Sequence, residues 1–405
     1  MGIKMSAIKL AQILVGLRRE KGITQEELAS YMGVSKAAVS KWEKEQSYPD
    51  IMLLPQLATY FNISIDELLN YSPQLTRGEI RKLYRRLTAD FTGKDFDEVL
   101  AECRSVIKKY FSCFPLLYQM ALLLINHSSL AQSPELQAEV LQEAKGLCER
   151  IVAESGDALL AKDALHIQLF CSLQCGQPGE VFTLMGESLR MVPFTEEFLI
   201  SQAYQLTGNS AKAIEITQCG LYGHLMELIE STLNYALLLM DDLPIEGALA
   251  MGVTATGGVA KKEEASDKTT QLNNAERAIN RARALIEAYN VERLNPERSA
   301  QAYLLGANLY CLRGETDRAI DYLTSYADLC IGAFFPFKLK GDDFLTGIDR
   351  WLDSCEIGAA LPRDERLVKL GMLQSLSMLP GLAILENEPQ FKIIVKRLTD
   401  FAGLQ

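Results

Sequence analysis

The chain has 405 residues, 48% hydrophobic and 23% charged, proportions that exclude wholesale disorder, a collagen-like rod and a coiled-coil rod. No apolar run approaches the roughly 18 residues of a membrane span, so no membrane partner is expected. The net charge of −11 argues at first against nucleic acid, yet residues 1–70 hold 8 basic and 8 acidic side chains, so the acidity lies wholly beyond them. Screening limits the reach of that charge to about 8 Å at physiological salt, and a locally neutral-to-basic face can still bind phosphate.

Met1 to Leu14 lacks the long apolar core and cleavage site of a secretory signal, so a cytoplasmic location is expected. Leu10, Ile13, Leu14 and Leu17 then recur at helical spacing until Lys21-Gly22 stops the helix. Thr24 with Glu27 forms a capping box, which predicts a second helix from Gln25 to Tyr31 or Met32. Gly33 permits a tight turn, and Ser35 caps a third helix, Lys36 to Lys44. Two such short helices on so brief a turn must cross steeply, as in a helix-turn-helix. Tyr48-Pro49 and Asp50 open a fourth helix bearing Leu53, Leu54, Leu57, Ala58 and Phe61, and Ser64 caps a fifth, Ile65 to Asn70.

The run Thr24-Gln25-Glu26-Glu27-Leu28-Ala29, then Gly33-Val34-Ser35, Val39-Ser40-Lys41-Trp42-Glu43-Lys44 and Pro49 resembles the Xre (Cro/C1-type) helix-turn-helix family. Glu45 departs from it, since the family usually has Gly there. The resemblance implies that the helix opened by Ser35 and closed by Lys44 enters the major groove of double-stranded DNA, its leading residues at base edges. Lys36, Ala37, Ser40 and Lys41 group on or near one face; the lysines suit guanine O6/N7 and Ala37 a thymine methyl. Val39 and Trp42 point inward. Thr24 and Gln25 match family positions that hold phosphate, and Arg18 and Arg19 are further phosphate candidates. The alternative for Lys36 and Lys41 is plain solvated surface charge.

Past Pro73 the pattern is helix after helix. Gly176, Gly208 and Gly314 each stand five residues before Val181, Ala213 or Ala319, Gly93 precedes Val99-Leu100, and Tyr204 and Tyr310 sit four before their glycines. This resembles tetratricopeptide repeats of about 34 residues, which stack into a right-handed α-solenoid with a concave face. The expected fold is all-α: a helix-turn-helix domain over 1–72, and a regulatory and dimerisation solenoid over 73–405. Residues 246–271 are read as an insertion with a mobile centre, a tolerated loop or a lid, and 334–405 as a cap. The helix Arg77 to Leu87 is locally basic (Arg77, Arg81, Lys82, Arg85 and Arg86 against Glu79), either a solvated outer face or a contact to flanking phosphates.

Nine scattered cysteines without a CxxC read as reduced, packed thiols. His166, Cys171 and Cys175 lie near one another along a helix but lack a fourth ligand, so no metal is expected. Phosphate-binding, dinucleotide and hydrolase motifs are absent, so neither a cofactor nor catalysis is expected. A DNA reader joined to a helical array resembles the Rgg/PlcR/PrgX-like peptide-pheromone receptors of Gram-positive bacteria. That resemblance implies quorum sensing, with asparagines pairing a short peptide's backbone; an amide has both donor and acceptor. Gln202, Gln205, Asn234 and Asn308 are the candidates, with caps or bridges between helices as the alternative. A homodimer is expected, because two-fold symmetry doubles the base contacts. The competing function is an adaptor whose solenoid docks a protein partner.

Overall fold

Side-chain caps begin many of the helices, and they are local in sequence. Thr24 and Glu27 form the reciprocal capping box at the start of α2 (Gln25–Met32). Ser35 caps α3 (Lys36–Glu43), preceded in the chain by α1 (Leu10–Glu20). Ser64 and Glu67 repeat the box before α5 (Ile65–Leu69). The fourth helix enters through a 3-10 turn, Ile51–Leu53, before α4 (Leu54–Phe61), because Asp50 caps Met52 and Pro55 occupies the first helical turn. Leu10, Leu14, Leu28, Val39, Trp42, Leu57 and Leu68 form one buried core under these five helices.

The computed structural model describes residues 10–69, 74–188, 194–240, 265–355 and 358–403. Among them every regular element is helical, and the chain is all-α. It divides into two units, residues 1–87 with 94–183 and residues 88–93 with 184–405. The 72/73 boundary expected from the sequence and residues 246–264 of the expected insertion lie outside the described residues; 265–271 open a helix.

Helix α6 (Arg77–Gly93) buries Ile80, Tyr84 and Leu87 in its first-unit part, residues 77–87, and α7 (Phe96–Lys109), also in the first unit, starts at an Asp95 cap. Gly93 is thus the end of a helix, not the left-handed turn its alignment with the other glycines suggested. Then α8 (Phe114–His127), α9 (Pro134–Glu154) and α10 (Ala158–Gln174) pack in sequence order, followed by α11 (Gly179–Met185).

The second unit continues in the same manner. Its elements are α12 (Glu196–Leu206), α13 (Ser210–Met240), α14 (Ala265–Ala288), α15 (Val291–Leu294), α16 (Pro296–Leu312) and α17 (Thr316–Gly332). After these come α18 (Ile348–Ser354), α19 (Glu365–Met378), a 3-10 segment Pro380–Leu385 and α20 (Pro389–Ala402). Helix α12 packs on α13, α13 on α14, α16 on α17, and the 3-10 segment on α16. A Cβ at Gly306 in α16 would collide with the Tyr322 ring, so glycine permits the close approach of α17.

Three helix ends share one geometry. Gly176, Gly208 and Gly314 have φ of 71°, 78° and 73°. In each, the glycine N–H donates three residues back, and the next N–H five back: Gln177 to Ser172, Asn209 to Tyr204, Glu315 to Tyr310. These are Schellman caps, and they recur as the glycine spacing anticipated.

Candidate nucleic-acid interface

Helix α3 has two unlike faces. Val39 and Trp42 are buried with Leu28, Ala29 and Leu57. Ser35, Lys36, Ala37, Lys41 and Lys44 are exposed, and Ser40 is half-buried. Ser35 Oγ accepts the Ala38 N–H at 3.2 Å, which fixes where the helix starts. Gly33, at φ 67°, closes α2 in the left-handed region and turns the chain toward α3.

The far end of α3 is held by Glu43, whose side chain is 5% exposed. Its Oε1 accepts from Arg18 Nε at 2.5 Å, and its Oε2 from Arg18 Nη2 at 3.1 Å and Gln25 Nε2 at 2.8 Å. Arg18 Nη1 donates to the Ile23 carbonyl at 2.9 Å. One carboxylate therefore ties α1, the start of α2 and α3 together. Burial pushes the Glu43 carboxyl up, but hydrogen bonds from Arg18 and Gln25, with the charges of Arg18 and Arg19, outweigh it and hold the group below the usual range. The hydrogen bond to Glu43 raises Arg18 in turn, against the opposing effect of burial.

The candidate phosphate contacts divide accordingly. Thr24 is exposed, with its hydroxyl in the box: the Glu27 N–H donates to Oγ1 at 3.2 Å, and the Thr24 N–H donates to Glu27 Oε2 at 2.7 Å. Those bonds from Thr24 hold the Glu27 carboxyl low. Gln25 is half-buried on Glu43. Arg18 departs from the expected outward pose: its guanidinium is engaged inside the domain at three points, so here it positions α3. Sequence reading missed this role of Glu43 because its partners lie 25 and 18 residues away.

On the exposed face, Lys36 Nζ lies 3.1 Å from Glu26 Oε2. Both side chains are in water, so the pair contributes little and an incoming anion can replace it. Glu45 has φ 58°, which explains why the family usually has Gly at this position.

The ligand candidates differ in exposure. Gln202 and Gln205 are exposed on α12. Asn234 is half-buried on α13, and its Oδ1 has no hydrogen-bond partner. Asn308 is not on an open groove. It is fully buried, its Oδ1 accepts the Gly381 N–H at 3.2 Å, and its Nδ2 has no partner. The 3-10 segment from 73 residues downstream covers it, which helix periodicity cannot foresee. Cys171 is buried, and burial pushes its thiol up to about 12. Among the described residues no three His, Cys, Asp or Glu side chains are grouped to hold a metal, and no helix is long and apolar enough to cross a membrane.

Residues 16–68 match the helix-turn-helix family model. With the two-faced α3 on its three-helix mount, this defines a helix-turn-helix DNA-binding domain. Within it, the run from Thr24 to Ala29, Gly33-Val34-Ser35 and the run from Val39 to Lys44 resemble the Xre-type (Cro/C1) domains. The HTH-type transcriptional activator BcrR of Enterococcus faecalis is 38% identical over 74 residues, 17% of this chain. That match spans 36% of the relative's length. Among solved structures, apo ComR from S. thermophilus aligns at 14% identity and TM-score 0.23, over 80% of this chain and 94% of that one. Bacillus thuringiensis PlcR, in complex with the peptide PapR7 and DNA, aligns at 11% identity and TM-score 0.21, over 98% and 95%.

Proposed function

We propose that the chain is a homodimeric, sequence-specific transcription regulator whose helical body senses a ligand, without catalysis of its own. The observation that carries this reading is the exposed leading face of α3. Lys36, Ala37 and Lys41 point to solvent there, on a helix fixed at one end by Ser35 and at the other by Glu43. Such a rigid mount suits base-edge contacts, which lose energy with small displacements. Thr24 and Gln25 lie at the leading end of α2, where a phosphate is favoured. The relative named a transcriptional activator shares this segment, and the reading carries that role over.

The ligand that fits best is a short peptide. Gln202 and Gln205, both exposed, offer a donor and an acceptor to an extended backbone, and Asn234 joins them only if its buried, unpartnered Oδ1 is uncovered. Asn308 joins them only if the 3-10 segment moves. Binding would shift the population between body conformations and so the spacing of two reading heads.

Selection of bound duplexes from a random pool, with wild type and with Lys36→Ala/Lys41→Ala, tests the DNA reading. The wild type should enrich a pseudo-palindromic site and the double variant should not. Retained preference in the variant would remove α3 as the reader. Calorimetry with fractionated cell-extract peptides against Asn234→Ala tests the ligand reading, and unchanged affinity would take Asn234 out of the site.

A further inference from the structure

Three helices end on the same glycine cap, so their equivalent positions can be compared. Six residues before the glycine stand Phe170 on α10, Gln202 on α12 and Asn308 on α16. Phe170 is half-buried and Gln202 exposed, whereas Asn308 is 0% exposed. The contrast extends along the helices. Helix α12 buries Ser201 alone, while residues 299–311 of α16 are all buried. Helices α13, α14 and α17 pack on α16, and so does the 3-10 segment Pro380–Leu385.

That segment lies on α16 as a short peptide would. Leu379, Leu382 and Leu385 recur at the 3-10 period and are buried, while Ala383, Ile384 and Glu386 face solvent. Gly381 crosses Asn308 closely: a Cβ there would stand 2.5 Å from Oδ1 and 3.2 Å from the Asn308 carbonyl oxygen. The Gly381 N–H donates to Oδ1 at 3.2 Å, but Nδ2 is buried without a partner. Packing alone does not account for this asparagine. A buried donor left unpaired costs free energy that an apolar side chain of similar size would avoid. The amide has both a donor and an acceptor. An extended backbone, whose N–H and C=O at one residue point the same way, can satisfy both. In a 3-10 turn the carbonyls point along the axis, so only the acceptor is used.

We propose that residues 379–385 are a built-in occupant of a peptide site on α16. The site takes a short apolar peptide with a glycine over Asn308 and aliphatic side chains in the places of Leu382 and Leu385. Such a peptide displaces the segment and engages both halves of the amide. This rests on the peptide reading above and names the ligand's class. Competition from within the chain sets the apparent affinity. A segment undocked about 1% of the time weakens a competing peptide about 100-fold.

The test uses the full chain and, as probe, a fluorescein-labelled peptide Leu-Pro-Gly-Leu-Ala-Ile-Leu, the sequence of residues 379–385. Gly381→Ala weakens docking of the chain's own segment by the clash with Asn308, and Leu382→Ala by loss of an anchor. Both variants should bind the probe at least about tenfold more tightly than wild type. Asn308→Ala added to either should cancel the gain, and a probe with alanine in place of glycine should bind neither. Hydrogen exchange of residues 381–386 in wild type, which needs no variant to fold, should outpace that of α16 because the segment undocks locally. Exchange as slow as in α16, or equal probe affinity for wild type and both variants, would overturn the proposal. Extract peptides that bind wild type and Asn308→Ala equally would also overturn this site while leaving peptide sensing intact. Extract peptides that bind neither wild type nor the opened variants would overturn the sensing reading and this one with it.

Discussion

Arg18→Ala distinguishes a mount for α3 from a phosphate contact. The substitution removes two charge-assisted hydrogen bonds from Glu43, whose side chain is 5% exposed, and leaves that carboxylate with Gln25 as its remaining side-chain donor. Charge-assisted hydrogen bonds contribute about 1.5–3 kcal/mol, and breaking a buried pair costs about 3–5 kcal/mol. Arg18 itself is 14% exposed, at the domain edge. A loss of about 2–4 kcal/mol follows from these magnitudes. For a domain of roughly 60–100 residues this lowers the melting midpoint by about 8–32 °C. Thermal and urea unfolding of wild type, Arg18→Ala, Glu43→Gln and the double variant would give the coupling, expected at about 1–3 kcal/mol. The pair also sets a pH dependence. The Glu43 carboxyl is lower in the folded chain than in the unfolded one, so its stabilisation is present above the ordinary carboxylate range and is lost as pH falls through the folded value. An Arg18→Ala protein of unchanged stability, with a salt slope of DNA binding reduced by about 0.9, would refute the mount: Arg18 would then face phosphate.

Three further outcomes are expected. Glu45→Gly should stabilise the domain by about 0.5–1 kcal/mol, because it relieves a left-handed backbone at φ 58° at some entropic cost; a lower urea midpoint would count against this. Thr24→Ala should cost about 1 kcal/mol through loss of the box, read by the same unfolding curves. His224 Nε2 meets Glu197 Oε1 at 2.7 Å between α13 and α12, and the hydrogen bond to Glu197 raises its pKa. Its contribution should be full below about 6.5, the unfolded value, and fade as pH rises through the folded one; hydrogen exchange of α12 that does not accelerate with pH beyond the intrinsic trend would oppose this.

What was legible in the sequence was local. Thr24–Glu27 and Ser35–Ala38 act over three residues, and the caps at Gly176, Gly208 and Gly314 over five, so motif and structure coincide. Lys36, Ala37 and Lys41 follow from helix periodicity once the caps are placed. Contacts between distant segments were illegible. Glu43 with Arg18, Asn308 with Gly381 and Gln218 with Gly347 join residues 25, 73 and 129 apart, and no pattern in either partner points to the other. Gly93 misled because its sequence context resembles the three true turns, whereas its helix simply ends there.

The sealed thiols have a use of their own. Cys103, Cys113, Cys148 and Cys171 are closed inside the first unit, and Cys219, Cys311 and Cys330 inside the second. An alkylating reagent reaches each only when its surroundings open, so the labelling rate at each sulfur is a clock for local opening. Native sulfurs thus provide, without any added probe, a readout of which helical hairpins loosen when DNA or a candidate ligand is added.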